Sequence, residues 1–119
     1  VADIRRTQEV IERICGVRPV VFRPPLGYVT PRTVVGAKRA GVEIVAWSVR
    51  SIDGLGTTDP ERVVRRVERG LRGGAIVALH DAAERDDFVP ASVAALPGIL
   101  EAMAERGLSS VRLDELTLS

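Results

Sequence analysis

The sequence predicts an α/β fold in which parallel strands alternate with helices. Three observations lead there. Short, nearly continuous apolar and β-branched runs recur along the chain, at 19–22, 42–48 and 75–79, and a fourth, short strand is expected at 109–113. Stretches with helical periodicity separate them, most of them opened by a proline signal and closed by glycine. The runs do not alternate polar with apolar, which is the pattern of strands buried on both faces of a parallel sheet.

Each element has a local reason. Ile4, Val10, Ile11 and Ile14 share one helical face, and Gly16 ends that helix. A strand over 19–22 follows, then a Pro- and Gly-rich loop over 23–30. Thr30-Pro31 reads as a cap and first-turn proline, opening a helix over 31–40 that Gly41 closes. A strand over 42–48 leads into a long loop over 49–58. Asp59-Pro60-Glu61 opens the next helix. Val63, Val64, Val67 and Leu71 form its apolar face, Arg62, Arg65, Arg66 and Arg69 are assigned to water, and Gly73-Gly74 ends it. A third strand spans 75–79, and a charged loop spans 80–89. The last helix is expected over 92–106, with Pro97 near its first turn and Gly107 at its end, before a fourth short strand over 109–113. Right-handed crossovers gather the loops 23–30, 49–58 and 80–89 on the carboxyl edge of the sheet, where α/β proteins place ligands and catalysts.

Composition narrows the function. The chain has 119 residues, enough for one modest domain. Its 17 Lys and Arg against 16 Asp and Glu leave a net charge of +1, so charge makes no case for nucleic acid or an anionic membrane. No apolar run approaches the ~20 residues of a membrane span. A single Cys excludes an internal disulfide and any multi-Cys zinc site; Cys15 reads as a small buried apolar residue. The first residues show no signal-peptide pattern.

Few residues can carry chemistry. His80, the only His, leaves a buried strand. Imidazole titrates near neutrality and suits proton transfer, but position alone also allows a hydrogen-bonded loop residue. Asp53 could orient that imidazole, or be an ordinary turn Asp before Gly54. Arg23 enters Pro24-Pro25-Leu26-Gly27, a stiff loop that could present backbone N–H groups to an oxyanion, or be a plain turn with a solvated Arg. Trp47 could line a sugar site or pack in the core.

Together these residues carry a resemblance. Phe22-Arg23-Pro24-Pro25-Leu26-Gly27, Val45-Ala46-Trp47-Ser48-Val49-Arg50-Ser51-Ile52-Asp53-Gly54 and Gly74-Ala75-Ile76-Val77-Ala78-Leu79-His80-Asp81 are similar, in order and spacing, to the third, fourth and fifth motifs of the polysaccharide deacetylases. These form the NodB homology domain, carbohydrate esterase family four. The resemblance covers essentially the whole chain. It implies part of a distorted (β/α) barrel and a metal-dependent hydrolase that removes N-acetyl, sometimes O-acetyl, groups from glycans. It implies a divalent metal, usually zinc, held by one Asp and two His. Transferred to this sequence, His80 would be the general acid and Asp53 would tune it by accepting a hydrogen bond. Arg23 would pair with the catalytic-base Asp. Pro25 and Leu26 would lie at the substrate, with the Leu26 N–H on the oxyanion. Leu79 would line the acetyl-methyl pocket, and Trp47 its wall.

The departures are as informative. The first motif, Thr-Phe-Asp-Asp-Gly, and the second, His-x-x-x-His, are absent, and one His cannot supply two imidazole ligands. The expectation is therefore the C-terminal portion of one such domain over 1–119, with no metal ligand of its own and no deacetylation by this chain alone. The partner expected of the parent protein is an acetylated polysaccharide, outside the cell or in its envelope. Exposed sheet edges would favour self-association. Leu26 stands where an aromatic is frequent, and Gly54 where a Trp often follows the Asp. The alternatives are an inactive glycan-binding domain and a small stand-alone doubly wound α/β domain.

Overall fold

A computed structural model describes residues 2–54, 59–81 and 89–117. The chain divides into two compact units, Val1–Ala46 and Trp47–Ser119.

The first unit holds helix α1 (Ala2–Cys15), strand β1 (Val21–Phe22), a 3-10 turn (Pro25–Gly27), helix α2 (Pro31–Ala40) and strand β2 (Glu43–Ile44). β1 and β2 run parallel, with Val21 opposite Glu43 and Phe22 opposite Ile44. α1 is held from its middle: Gln8 is buried and its Nε2 donates to the Pro19 carbonyl at 2.8 Å. α2 forms over the predicted residues. Thr30 and Thr33 make a reciprocal capping box, Pro31 occupies the first turn, and Gly41 closes the helix at φ +70°.

The second unit holds strand β3 (Val49–Arg50), helix α3 (Pro60–Glu68), strand β4 (Val77–Ala78), helix α4 (Ala91–Glu105) and helix α5 (Leu113–Thr117). β3 and β4 are also parallel, with Val49 opposite Val77 and Arg50 opposite Ala78. The Asp59 carboxylate caps α3 by accepting from the Glu61 N–H at 3.2 Å. Val63 and Val67 of α3 are fully buried against Val49, Ala91, Ala95 and Ile99. At Gly98 α4 comes so near α3 that a Cβ would lie 3.0 Å from Val64 Cγ2. α4 and β3 therefore share α3 as the centre of this core.

The fold class is α/β with parallel strands, as expected. Four details differ. The run 42–48 is not one strand: β2 pairs with β1, whereas β3, in the expected loop 49–58, pairs with β4. Hydropathy is continuous there and does not report a change of pairing partner. No strand forms over 109–113. Among the described residues no strand pairs with it, and the Glu115 and Leu116 N–H groups turn back to the Arg112 carbonyl to start α5. Pro97 lies inside α4, because that helix already begins at Ala91. Cys15 is exposed, as is Ile14 at 74%, since the buried face of α1 centres on Gln8. The loop segments 55–58 and 82–88 lie outside the described residues.

Candidate active site

The second unit assembles a site from the residues that follow two neighbouring strands. Parallel pairing of Arg50 with Ala78 carries Ser51 and Asp53 alongside Leu79 and His80. Ile52 takes a left-handed conformation, φ +55°, which is strained for a β-branched side chain. The turn leaves Ile52 exposed and buries both its neighbours, Ser51 at 1% and Asp53 at 0% exposure. The Ser51 hydroxyl reaches the Ala78 carbonyl at 2.7 Å and touches Asp53 Oδ1.

Asp53 and His80 meet twice. The His80 backbone N–H donates to Asp53 Oδ2 at 2.7 Å, and His80 Nδ1 lies 2.9 Å from Asp53 Oδ1. Burial alone would raise the Asp53 pKa. Hydrogen bonds from the Ser51 hydroxyl, the His80 backbone N–H, the imidazole and the Ser92 hydroxyl outweigh it and hold the group at about 2. Asp53 is thus ionised at neutral pH. A carboxylate can only accept, so Nδ1 carries the hydrogen of this bond. Nε2, at the far side of a side chain that is 61% exposed, has no hydrogen-bond partner among the described residues.

Three further groups hold this pair. The Arg66 guanidinium donates to the Ser51 carbonyl at 2.7 Å. The expectation that Arg66 faces water is therefore wrong; its side chain reaches back over the turn. α4 has no side-chain cap, and its Ala91 N–H instead donates to the Asp53 carbonyl at 3.4 Å. The Ser92 hydroxyl donates to the His80 carbonyl. Arg66, Ser51 and Ser92 were not singled out from the sequence. An Arg on a polar helix face and a Ser at a helix start have commoner explanations, and only the tertiary contacts distinguish them.

The other candidates are placed as follows. Leu79 is 37% exposed beside His80, and Trp47 is half-buried ahead of β3. In the first unit, Arg23 leaves β1 and its Nε donates to the Val45 carbonyl at 3.3 Å. Pro25 and Leu26 lie in the 3-10 turn, with Leu26 left-handed at φ +56°. The Gly27 and Tyr28 N–H groups bond back to the Pro24 and Pro25 carbonyls, and Pro24 and Pro25 have none to offer. The Leu26 N–H is left without a partner among the described residues.

The described residues contain no cluster of three or more His, Cys, Asp or Glu side chains able to hold a metal ion. With a single His in the sequence, the chain does not fit the two-His, one-Asp metal site that the motif resemblance implies. The chemistry its own residues can perform is proton transfer at His80 and hydrogen bonding at the Leu26 N–H.

A sequence model described as polysaccharide deacetylase matches residues 1–45. A peptidoglycan-N-acetylglucosamine deacetylase of Bacillus cereus is 35% identical over 100 residues, covering 82% of this chain and 45% of the relative. A family 4 carbohydrate esterase from Streptomyces lividans, solved with acetate, superposes with a TM-score of 0.78 at 28% identity, covering 94% of this chain and 56% of that one. A family 4 acetyl xylan esterase from Clostridium thermocellum, solved with a cobalt ion, gives 0.82 at 28% identity, covering 97% and 55%. The chain spans about half the length of these proteins. Over that span the fold is that of the family 4 esterases.

Proposed function

This chain belongs to the family 4 polysaccharide deacetylases, and we propose that it supplies the proton-donating side of a site that hydrolyses acetyl groups on a glycan. The observation that carries this reading is the Asp53–His80 pair. Its carboxylate occupies Nδ1 and leaves Nε2 open on an exposed ring. In the protonated state Nε2–H faces outward as an acid.

Hydrolysis of an N-acetyl group adds water across the amide, giving acetate and an amine. The leaving nitrogen needs a proton, and His80 Nε2 gives it, becoming neutral. Asp53 holds the cationic ring before transfer and keeps the hydrogen of Nδ1 in place afterwards. The Leu26 N–H, in a turn stiffened by Pro24 and Pro25, is free to donate to an oxyanion. Leu79 lines the acetyl-methyl pocket, Trp47 its wall, and Pro25 the substrate edge. Arg23 pairs with a base Asp that is not in this chain. A divalent metal, zinc in this reading, would polarise the acyl oxygen and the water. Its ligands belong to a Thr-Phe-Asp-Asp-Gly and His-x-x-x-His portion, so residues 1–119 are the C-terminal portion of one domain.

The substrate is an acetylated glycan of the peptidoglycan or xylan kind, and the place of action the cell envelope or the exterior. The names of the relatives support both statements. Among the described residues no helix is long and apolar enough to cross a membrane. Strand edges left open in the two-stranded sheets favour self-association of this chain.

The test starts with the coding sequence upstream of Val1, which should read in frame through both missing motifs. In the polypeptide that includes them, His80→Ala is expected to lower turnover by about 100- to 10,000-fold with metal content unchanged. Wild-type turnover by His80→Ala would overturn the assignment.

A further inference from the structure

The arginines of α3 do not behave alike. Arg62, Arg65 and Arg69 are exposed, and Arg65 pairs with Glu61 at the surface. Arg66 is half-buried, and its Nη1 donates to the Ser51 carbonyl at 2.7 Å. It does so from a fixed base, because Val63 and Val67 on either side of it are fully buried in the core.

That carbonyl belongs to the peptide group joining Ser51 to Ile52, and Ile52 is left-handed at φ +55°. Such strain persists only where the surroundings hold it, and an exposed Ile52 side chain offers little hold of its own. A peptide group turns as a rigid plane between two soft dihedrals. A flip of this plane by about 180° would return Ile52 to an ordinary negative φ with the chain on either side nearly in place. It would also turn the Ser51 carbonyl off the guanidinium. The charge-assisted bond from Arg66 therefore opposes the flip that relieves the strain. The turn so held is the one that brings the Ser51 hydroxyl to Asp53 and sets Asp53 against both nitrogens of its His80 contact, the backbone N–H and Nδ1.

We propose that Arg66 is a positioning residue for His80: it clamps the Ser51 carbonyl, keeps Ile52 left-handed, and so holds the Asp53 carboxylate on Nδ1 with Nε2 open. Arg66 touches no reacting atom and acts through the backbone of the turn. The inference rests on the reading of His80 as proton donor.

The chain has one His, so its imidazole nitrogen-15 resonances need no assignment by mutation. A left-handed residue brings its own amide proton close to its Hα and gives a strong cross-relaxation peak between them. The wild-type chain is expected to show that peak at Ile52 and, with the ring neutral, a majority of the Nδ1–H tautomer. Arg66→Met keeps an apolar stem and the helix propensity of α3 but removes the donor. It is expected to weaken the Ile52 peak and to lower the ratio of Nδ1–H to Nε2–H several-fold. A merely structural role for Arg66 would lower the melting temperature and leave both signals unchanged. Either signal unchanged in folded Arg66→Met, or missing from the wild type, overturns the proposal. If Arg66→Met does not fold, the wild-type chain decides. A slowly exchanging Arg66 guanidinium proton together with the left-handed signal at Ile52 upholds the clamp; absence of either overturns it. None of these measurements needs turnover, so failure of the deacetylase reading and failure of this one are seen separately.

Discussion

Asp53 keeps its charge in a place that disfavours one. It is fully buried, and only the hydrogen bonds it accepts hold its pKa down at about 2 from the ordinary 3.8. A depressed carboxylate stabilises the fold above its unfolded pKa, and that contribution is lost as pH falls through the folded value. The shift corresponds to a contribution on the order of 2 kcal/mol. Denaturant unfolding of the wild type against Asp53→Asn should therefore give a stability difference that shrinks between pH of about 5 and about 2. A difference independent of pH over that range would contradict the assigned charge. Of the residues in this cluster, position in the sequence suggested Asp53 and His80. Arg66, Ser51 and Ser92 enter the site through side chains that reach backbone carbonyls 12 to 27 residues away along the chain.

At the scale of elements, α4 carries two neighbouring residues of opposite consequence. Gly98 faces α3, and a Cβ there meets Val64 Cγ2 at 3.0 Å. Pro97 is exposed within the helix, where it removes a backbone donor. Gly98→Ala is expected to destabilise by about 1–3 kcal/mol through overpacking, despite the better helix propensity of Ala. Pro97→Ala is expected to stabilise by about 1–3 kcal/mol. Equilibrium unfolding of the two variants checks both signs; a stabilised Gly98→Ala would mean that the helices separate easily. The helices were legible because caps and stops are local: Thr30, Pro31 and Gly41 delimit α2 by themselves. The strands were legible only as apolar runs. Which run pairs with which depends on residues far along the chain, so 42–48 was read as one strand and 109–113 as a fourth.

The whole molecule explains what the chain lacks. It spans about half the length of its relatives, and the described residues hold no metal-ligand cluster. Apolar residues remain exposed on one side of α4, at Val93, Leu96 and Leu100, and among the described residues each sheet has two strands. The purified 119-residue chain is expected to release no acetate from acetylated glycan, to bind zinc weakly, and to sediment as dimers or larger species. Acetate release with tight zinc binding would sink the reading of these residues as the acid side only. A clean monomer in sedimentation would remove self-association.

The sequence by itself determined the α/β alternation, the helix limits set by caps and glycines, and the family through three short motifs. It also determined, by a residue count, that two imidazole ligands cannot come from this chain. Only the tertiary structure decided how the runs pair, that Arg66 turns inward, and that the imidazole meets Asp53 through Nδ1. The physical reason is range. Capping and periodicity act within a turn or two of the chain, whereas pairing, burial of a charge and the seat of a ring are set by groups that meet only on folding.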